Sequence, residues 1–337
     1  MSLASQMQIM LPAVEEELHS VVDRTTNSVY PELRGMLAYH LGWEGAGAGP
    51  EAQGKRIRPL LVLLCAQAGG GEWRNALPAA AGVELLHNFS LIHDDIQDNS
   101  PLRRGRDTVW KLWGVPQAIN AGDVMFTQAF RALHCLGQTI SASAALEAHR
   151  ILEETCLKLT EGQYLDISFE TRRLLPLEDY WSMIGGKTSA LLGCCAELGA
   201  LCAGVEDERR ARFHEFGYSL GLAFQVLDDW LGIWGDASVI GKSTESDLVS
   251  GKKTFPVLYG LSRSPEFAQL WEAGGLKVED VAQAVSLLES CGAGAVTLER
   301  AEELTHKALR ALDQAVAEPQ KADELKELTA SLLKRKK

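Results

Sequence analysis

The sequence predicts an all-α protein, a large helical bundle, on three observations. Apolar residues recur at three- and four-residue spacing through long segments such as 79–98 and 208–234. Short runs of strict apolar–polar alternation, the mark of half-buried strands, are scarce. Breakers fall between the periodic segments, at 42–54, 69–73, 99–105, 262–266 and 291–295. Within 79–98, Leu85, Phe89, Ile92 and Ile96 make one stripe, which is a helix facing a core. No linker or composition shift divides the 337 residues, so one domain spanning 1–337 is expected.

Composition narrows the partners. At 46% hydrophobic and 23% charged, the chain has the make-up of an ordinary globular protein with a sizeable core. A formal charge of −12 argues against nucleic acid or an anionic membrane surface as the main partner. An anionic ligand would therefore need local cations or metal ions. The seven cysteines show no CxxC spacing, and most sit in apolar helical stretches, as expected of reduced thiols in a cytoplasm. The N-terminus lacks a signal-peptide pattern, and no apolar run reaches the roughly 18 residues of a membrane span.

Chemistry concentrates in "LIHDDIQDNSPLRRGR". Taking Asp94 as the origin of a helical wheel, Asp95 lies at about 100° and Asp98 at about 40°, so three carboxylates share one arc. Such a face repels itself unless cations sit in it, and oxygen-only ligands suit Mg²⁺, which takes one or two carboxylates plus ligand phosphates. A solvated acidic helix end is the bland alternative, weakened by the apolar flank "FSLIH". A second pair, Asp228–Asp229, also follows an apolar run. Gly232 stands where a third carboxylate would, and Asp236 lies about 12 Å further along the helix, too far to replace it. Cations cluster at breakers: Lys55, Arg56 and Arg58; Arg103, Arg104 and Arg106; Lys187 beside Thr188; Lys242; Lys252 and Lys253. Each cluster alone reads as a solvated loop, but together with two acidic motifs they suggest sites for two polyanions.

In this order, "GKRIRP", "ELLHNFSLIHDDIQDNSPLRRGRDT", "AGD", "GGKTSALL", "FQVLDDWLGIWGD" and "GKSTESDLVSGKKTFP" resemble the landmarks of the trans-type isoprenyl diphosphate synthases, over roughly residues 53 to 256. The resemblance implies helices around a central cavity, with the two aspartate-rich helices facing each other, and a homodimer. It implies that two or three Mg²⁺ ions bind an allylic diphosphate through Asp94, Asp98 and Asp228, with Asp95 and Asp229 supporting. Arg103, Lys187 and Lys252, with Lys242 nearby, would carry the leaving diphosphate. Isopentenyl diphosphate would occupy a metal-free site of Lys55, Arg58, His87 and Arg104. Thr188 and Gln225 would shield the allylic cation. Gly232 departs from the usual last aspartate of the second motif and bears on the third metal.

Product length stays open at this point. Four and five places before Asp94 stand Ser90 and Phe89, an arrangement resembling synthases that stop near C20. Two adjacent aromatics would imply C15, and small residues longer chains. The wheel places Phe89 about 175° from the centre of the aspartate arc, so plain core packing is an equal reading. Three other classes compete. A terpene cyclase would not need Lys55, Arg58 and Arg104. A di-iron protein would use Glu84-x-x-His87 and Glu303-x-x-His306 but leave the aspartates and arginines unexplained. A non-catalytic synthase subunit would lack the first aspartate motif.

Overall fold

Helical periodicity becomes helix almost everywhere. The computed structural model describes residues 2–25, 30–172, 175–235, 246–272 and 276–333. In chain order the α-helices are α1 (Leu3–Thr25), α2 (Pro31–His40), α3 (Pro50–Gln53), α4 (Ile57–Ala68), α5 (Leu77–Gln97), α6 (Val109–Trp113), α7 (Val115–Leu133), α8 (Ala142–Glu170) and α9 (Leu177–Ile184). Then come α10 (Ala190–Cys202), α11 (Asp207–Trp234), α12 (Ser246–Val249), α13 (Phe255–Arg263), α14 (Pro265–Glu272), α15 (Val281–Ser290), α16 (Ala293–Ala315) and α17 (Asp323–Leu333). The fold class is all-α. Among the described residues no single helix is long and apolar enough to cross a membrane.

The chain divides into two compact units. One comprises Met1–Glu153, Cys195–Arg210 and Val316–Leu325. Its core is built on α4, apolar nearly all round and buried from Pro59 to Ala66, and on α5, which pairs extensively with α7. On α5, Leu85 and Ile92 of the expected stripe are fully buried, while Phe89 and Ile96 are half-buried. The helix ends just after the acidic motif for a local reason. Asn99 adopts φ 51, and the amides of Asn99 and Ser100 turn back to the carbonyls of Ile96 and Asp95. That is a Schellman stop, with Asp98 at the C-cap.

Past this stop, in and just beyond the breaker at 99–105, a short hairpin covers six residues. Strands β1 (Leu102–Arg103) and β2 (Arg106–Asp107) pair antiparallel, Leu102 with Asp107 and Arg103 with Arg106. The two-residue turn puts both Arg104 (φ 51) and Gly105 (φ 73) in the left-handed region. Glycine does so freely; Arg104 does so because the turn demands it. The strands are too short for alternation to register in the sequence.

The other unit comprises Glu154–Cys194, Ala211–Ala315 and Lys326–Lys337. One buried cluster here gathers Tyr180, Ile184, Val226, Phe255 and Leu258; another gathers Ile233, Leu248, Val257, Phe267 and Leu288. Between α9 and α10 the backbone makes a π-turn over Gly185–Ser189, the "GGKTS" stretch. Two glycines allow close approach to it. A Cβ on Gly162 of α8 would meet the Lys187 amide nitrogen at 2.1 Å, and one on Gly221 of α11 would meet the Ser189 Cα at 2.6 Å.

Candidate active site

Each acidic pair is divided by its helix into a more open and a buried member. At the end of α5, Asp98 is exposed and Asp94 half-buried, but Asp95 is only 2% exposed. Both Asp95 carboxylate oxygens are held by Arg103: Nε donates to Oδ1 and Oδ2 at 2.8 and 2.9 Å, and Nη2 lies 2.8 Å from Oδ1. Burial raises the pKa of Asp95, and the Arg103 guanidinium works against that rise. The shared arc of three carboxylates on the wheel therefore resolves into one exposed group, one half-buried group and one buried group held by Arg103.

The hairpin explains why adjacent arginines differ. Arg103 lies on β1 and reaches Asp95, whereas Arg104, in the turn, donates through Nη1 to the carbonyls of Ala52 and Gln53 at 2.9 and 3.0 Å. Arg106 is committed to the carbonyls of Tyr39, Glu44 and Ala46, over the Tyr39 ring. In the basic loop before α4, Arg56 is a structural cation. Buried, with φ 46, it donates to Glu15 at 2.6 Å, to Glu84 at 2.8 Å and to the Leu41 carbonyl at 3.1 Å. Its neighbours differ: Lys55 is exposed, and Arg58 Nη1 lies 3.1 Å from His87 Nε2. Burial first, then the Arg58 charge, holds His87 well below the usual imidazole pKa. The ring is thus neutral and accepts at Nε2.

Glu84 carries the Arg56 charge and also accepts from Asn88 Nδ2 at 2.9 Å. Glu303 pairs with Arg300 at 2.7 Å. Both glutamates of the di-iron reading are thus paired with arginines.

On α11, Asp228 is exposed and Asp229 is 5% exposed. Asp229 Oδ2 accepts from the Tyr180 hydroxyl at 2.7 Å and from the Phe255 amide at 3.0 Å; Oδ1 accepts from Gln225 Nε2 at 3.0 Å. The Thr188 hydroxyl donates to Gln225 Oε1 at 3.0 Å, so Thr188, Gln225 and Asp229 form one chain. Burial pushes the Asp229 carboxyl up to about 6, its three donors working against that rise. Lys187, on the π-turn, donates to Asp166 of α8. Lys253 donates to the Phe169 and Glu170 carbonyls at 2.7 and 3.3 Å, closing the end of α8, while Lys252 is exposed. Gly232 lies within α11. Lys242 and Asp236 fall outside the described residues.

Near the first pair, Ser90 donates its hydroxyl to the His87 carbonyl at 2.9 Å. Phe89 meets Phe126 of α7 with centroids 5.0 Å apart, and Phe126 meets Phe130 at 5.1 Å. Sequence reasoning missed Tyr180, Asp166 and Phe126. Tyr180 and Phe126 read as ordinary core aromatics, and Asp166 stands alone in "QYLDIS" with no spacing to mark it.

The geometry can be set beside known proteins. The polyprenyl synthetase family profile matches residues 48–289. A geranylgeranyl diphosphate synthase from Mycobacterium tuberculosis is 41% identical over 317 residues, 92% of this chain and 90% of that protein. A (2E,6E)-farnesyl diphosphate synthase from Mycobacterium bovis is 40% identical over 78% of this chain and 75% of its own. Among solved structures, the polyprenyl synthetase from Streptomyces coelicolor A3(2) superposes with a TM-score of 0.89 at 34% identity, covering 98% of this chain and 100% of its own. The polyprenyl synthase from Caulobacter crescentus CB15, complexed with calcium and isoprenyl diphosphate, gives 0.83 at 30% identity, covering 99% and 98%. With the ordered motifs, the helical fold and these matches in agreement, the chain belongs to the polyprenyl synthetase family and is a trans-prenyltransferase.

Proposed function

We propose that the enzyme joins an allylic diphosphate to isopentenyl diphosphate and that geranylgeranyl diphosphate (C20) is its main product. The observation carrying this reading is the division of both acidic pairs: Asp98 and Asp228 are exposed and Asp94 half-buried, while Asp95 and Asp229 are buried and held by protein donors. Mg²⁺ asks for only one or two carboxylates, with waters and phosphate oxygens completing it, and Asp94, Asp98 and Asp228 fit that demand. Asp95 and Asp229 belong to the supporting structure, not to the ligands. The calcium and isoprenyl diphosphate bound by the Caulobacter relative support a divalent ion with a diphosphate. Two or three such ions, when bound, neutralise charge on the leaving diphosphate.

This chain's own residues do the rest. Lys187 and Lys252 oppose the growing charge on the departing diphosphate as the allylic C–O bond breaks, and Arg103 serves the allylic diphosphate at the first motif. The Thr188 hydroxyl and the Gln225 amide, fixed against each other, present dipoles to the allylic cation. Lys55, Arg104 and the Arg58–His87 pair hold isopentenyl diphosphate, whose double bond attacks; the proton released passes to the departing diphosphate. A homodimer is supported by the exposed apolar side chains Leu112, Val115 and Ile119 of α6 and α7, and a cytoplasmic location by the free thiols.

Both relatives at about equal identity carry different product names, so product length rests on Phe89 and Ser90. Purified enzyme given Mg²⁺, isopentenyl diphosphate and C5, C10 or C15 primers should extend farnesyl diphosphate to C20. A dominant C25 or longer product, or no extension of farnesyl diphosphate, would overturn the assignment. Phe89→Ala should lengthen the product; unchanged length removes Phe89 from that role.

A further inference from the structure

Tyr180 has no part in the motifs and no assigned role, yet it is 1% exposed and its hydroxyl points at a carboxylate. Its ring packs with those of Trp181 and Phe255 in one cluster, centroids 5.2 and 5.8 Å away and 5.5 Å between the other two. The hydroxyl reaches Asp229 Oδ2, which the Phe255 amide also reaches. Phe255 is the first residue of α13 after its Thr254 N-cap, so Asp229 accepts one of the amides a helix start leaves without an internal partner. On Oδ1, Gln225 completes the set. Asp229 therefore joins α9, α11 and α13 through three donors, none of them a cation.

We propose that Tyr180 is a positioning residue for the second acidic motif: by holding Asp229 turned inward it fixes the last turns of α11, so that Asp228 faces outward and Gln225 keeps its amide aligned with Thr188. The proposal rests on the reading of Asp228 as a Mg²⁺ ligand. Its physical basis is that ligand direction is set by the hydrogen bonds behind the ligand, and loss of such a partner typically weakens metal affinity or activity about 10- to 100-fold. "GKKTFP" gains a reason as well, since its Phe255 amide is part of the same clasp.

The test compares wild type, Tyr180→Phe, Asp229→Asn, the double variant and Asp228→Asn as full-length proteins. Direct Mn²⁺ binding, followed by electron paramagnetic resonance with inorganic diphosphate present, is read beside the half-saturating Mg²⁺ concentration in turnover. Tyr180→Phe keeps the ring and should remain folded by circular dichroism, with both metal readouts weakened about tenfold. In the Asp229→Asn background the same change should add nothing, because Tyr180 acts through that carboxylate. Unchanged metal binding in Tyr180→Phe, or an undiminished effect in the Asp229→Asn background, overturns the proposal. If Tyr180→Phe does not fold, Asp229→Asn alone must show the weakened metal response, and a normal one overturns it equally. Asp228→Asn separates the two readings: normal metal binding there sinks the ligand assignment itself, whatever Tyr180 does.

Discussion

In the first acidic pair the buried member, Asp95, is held by a guanidinium; in the second, Asp229 is held by a phenol, an amide side chain and a backbone amide. In both pairs the preceding aspartate, half-buried Asp94 or exposed Asp228, is the more open to solvent. A cation offsets the desolvation of a buried carboxylate, whereas neutral donors do so only in part. Accordingly Asp229 is pushed up to about 6, while Asp95, also raised by burial, has the Arg103 charge acting to lower it. A "DD" pair is thus two different residues, one more open to solvent and one held by the fold, and the same dipeptide reaches that division through unlike surroundings.

The largest effect tests the more open members. Asp94→Ala and Asp228→Ala should each lower kcat/KM about 10²–10³-fold in steady-state assays, with melting temperatures near wild type. A fully active Asp228→Ala enzyme would break the parallel between the motifs.

Arg103→Ala comes next, because it strands a buried carboxylate. Chemical denaturation should show a loss of about 3 kcal/mol, more than removal of any single donor to Asp229, for which about 1–2 kcal/mol is expected. Equal losses would mean that the charge on Arg103 gives Asp95 no special support. Its neighbour is the control. Arg104→Ala breaks two bonds to loop carbonyls and should cost about 1 kcal/mol while raising the KM for isopentenyl diphosphate. Arg103→Ala should instead raise the KM for the allylic substrate.

The smallest effect is in pH. Because the folded-state pKa of Asp229 lies above that of the unfolded chain, the native state binds more protons, so stability falls as pH rises from about 4 through about 6. Metal-free protein should lose about 2–3 kcal/mol across that window, and Asp229→Asn should flatten the slope. A slope that survives the substitution would place the titration elsewhere.

What could be read without coordinates was whatever has a period or a spacing. The helical class follows from the three- and four-residue recurrence, and the more open aspartates from the crowding of carboxylates that no apolar core accepts without partners. The basic segments were legible as segments, but not residue by residue: Arg56, Arg103, Arg104 and Arg106 look alike in "GKRIRP" and "LRRGR". A two-residue turn with φ positive at Arg104 sends neighbouring side chains to Asp95 and to the Ala52 carbonyl, and a left-handed Arg56 goes to Glu15 and Glu84. Tyr180 could not be found, since its spacing to Asp229 reflects how α9 packs against α11, not any period.

By itself, then, the sequence determined the helical class, the reaction class and the acidic and basic segments that carry it, because charge and periodicity are local properties of the chain. Only the tertiary structure decided which member of each acidic pair is the more open, which arginines are committed to carboxylates and carbonyls, and that Tyr180 clasps Asp229. Those outcomes depend on partners 8 to 67 residues away, and a hydrogen bond is set by where a donor arrives, not by which residue precedes it.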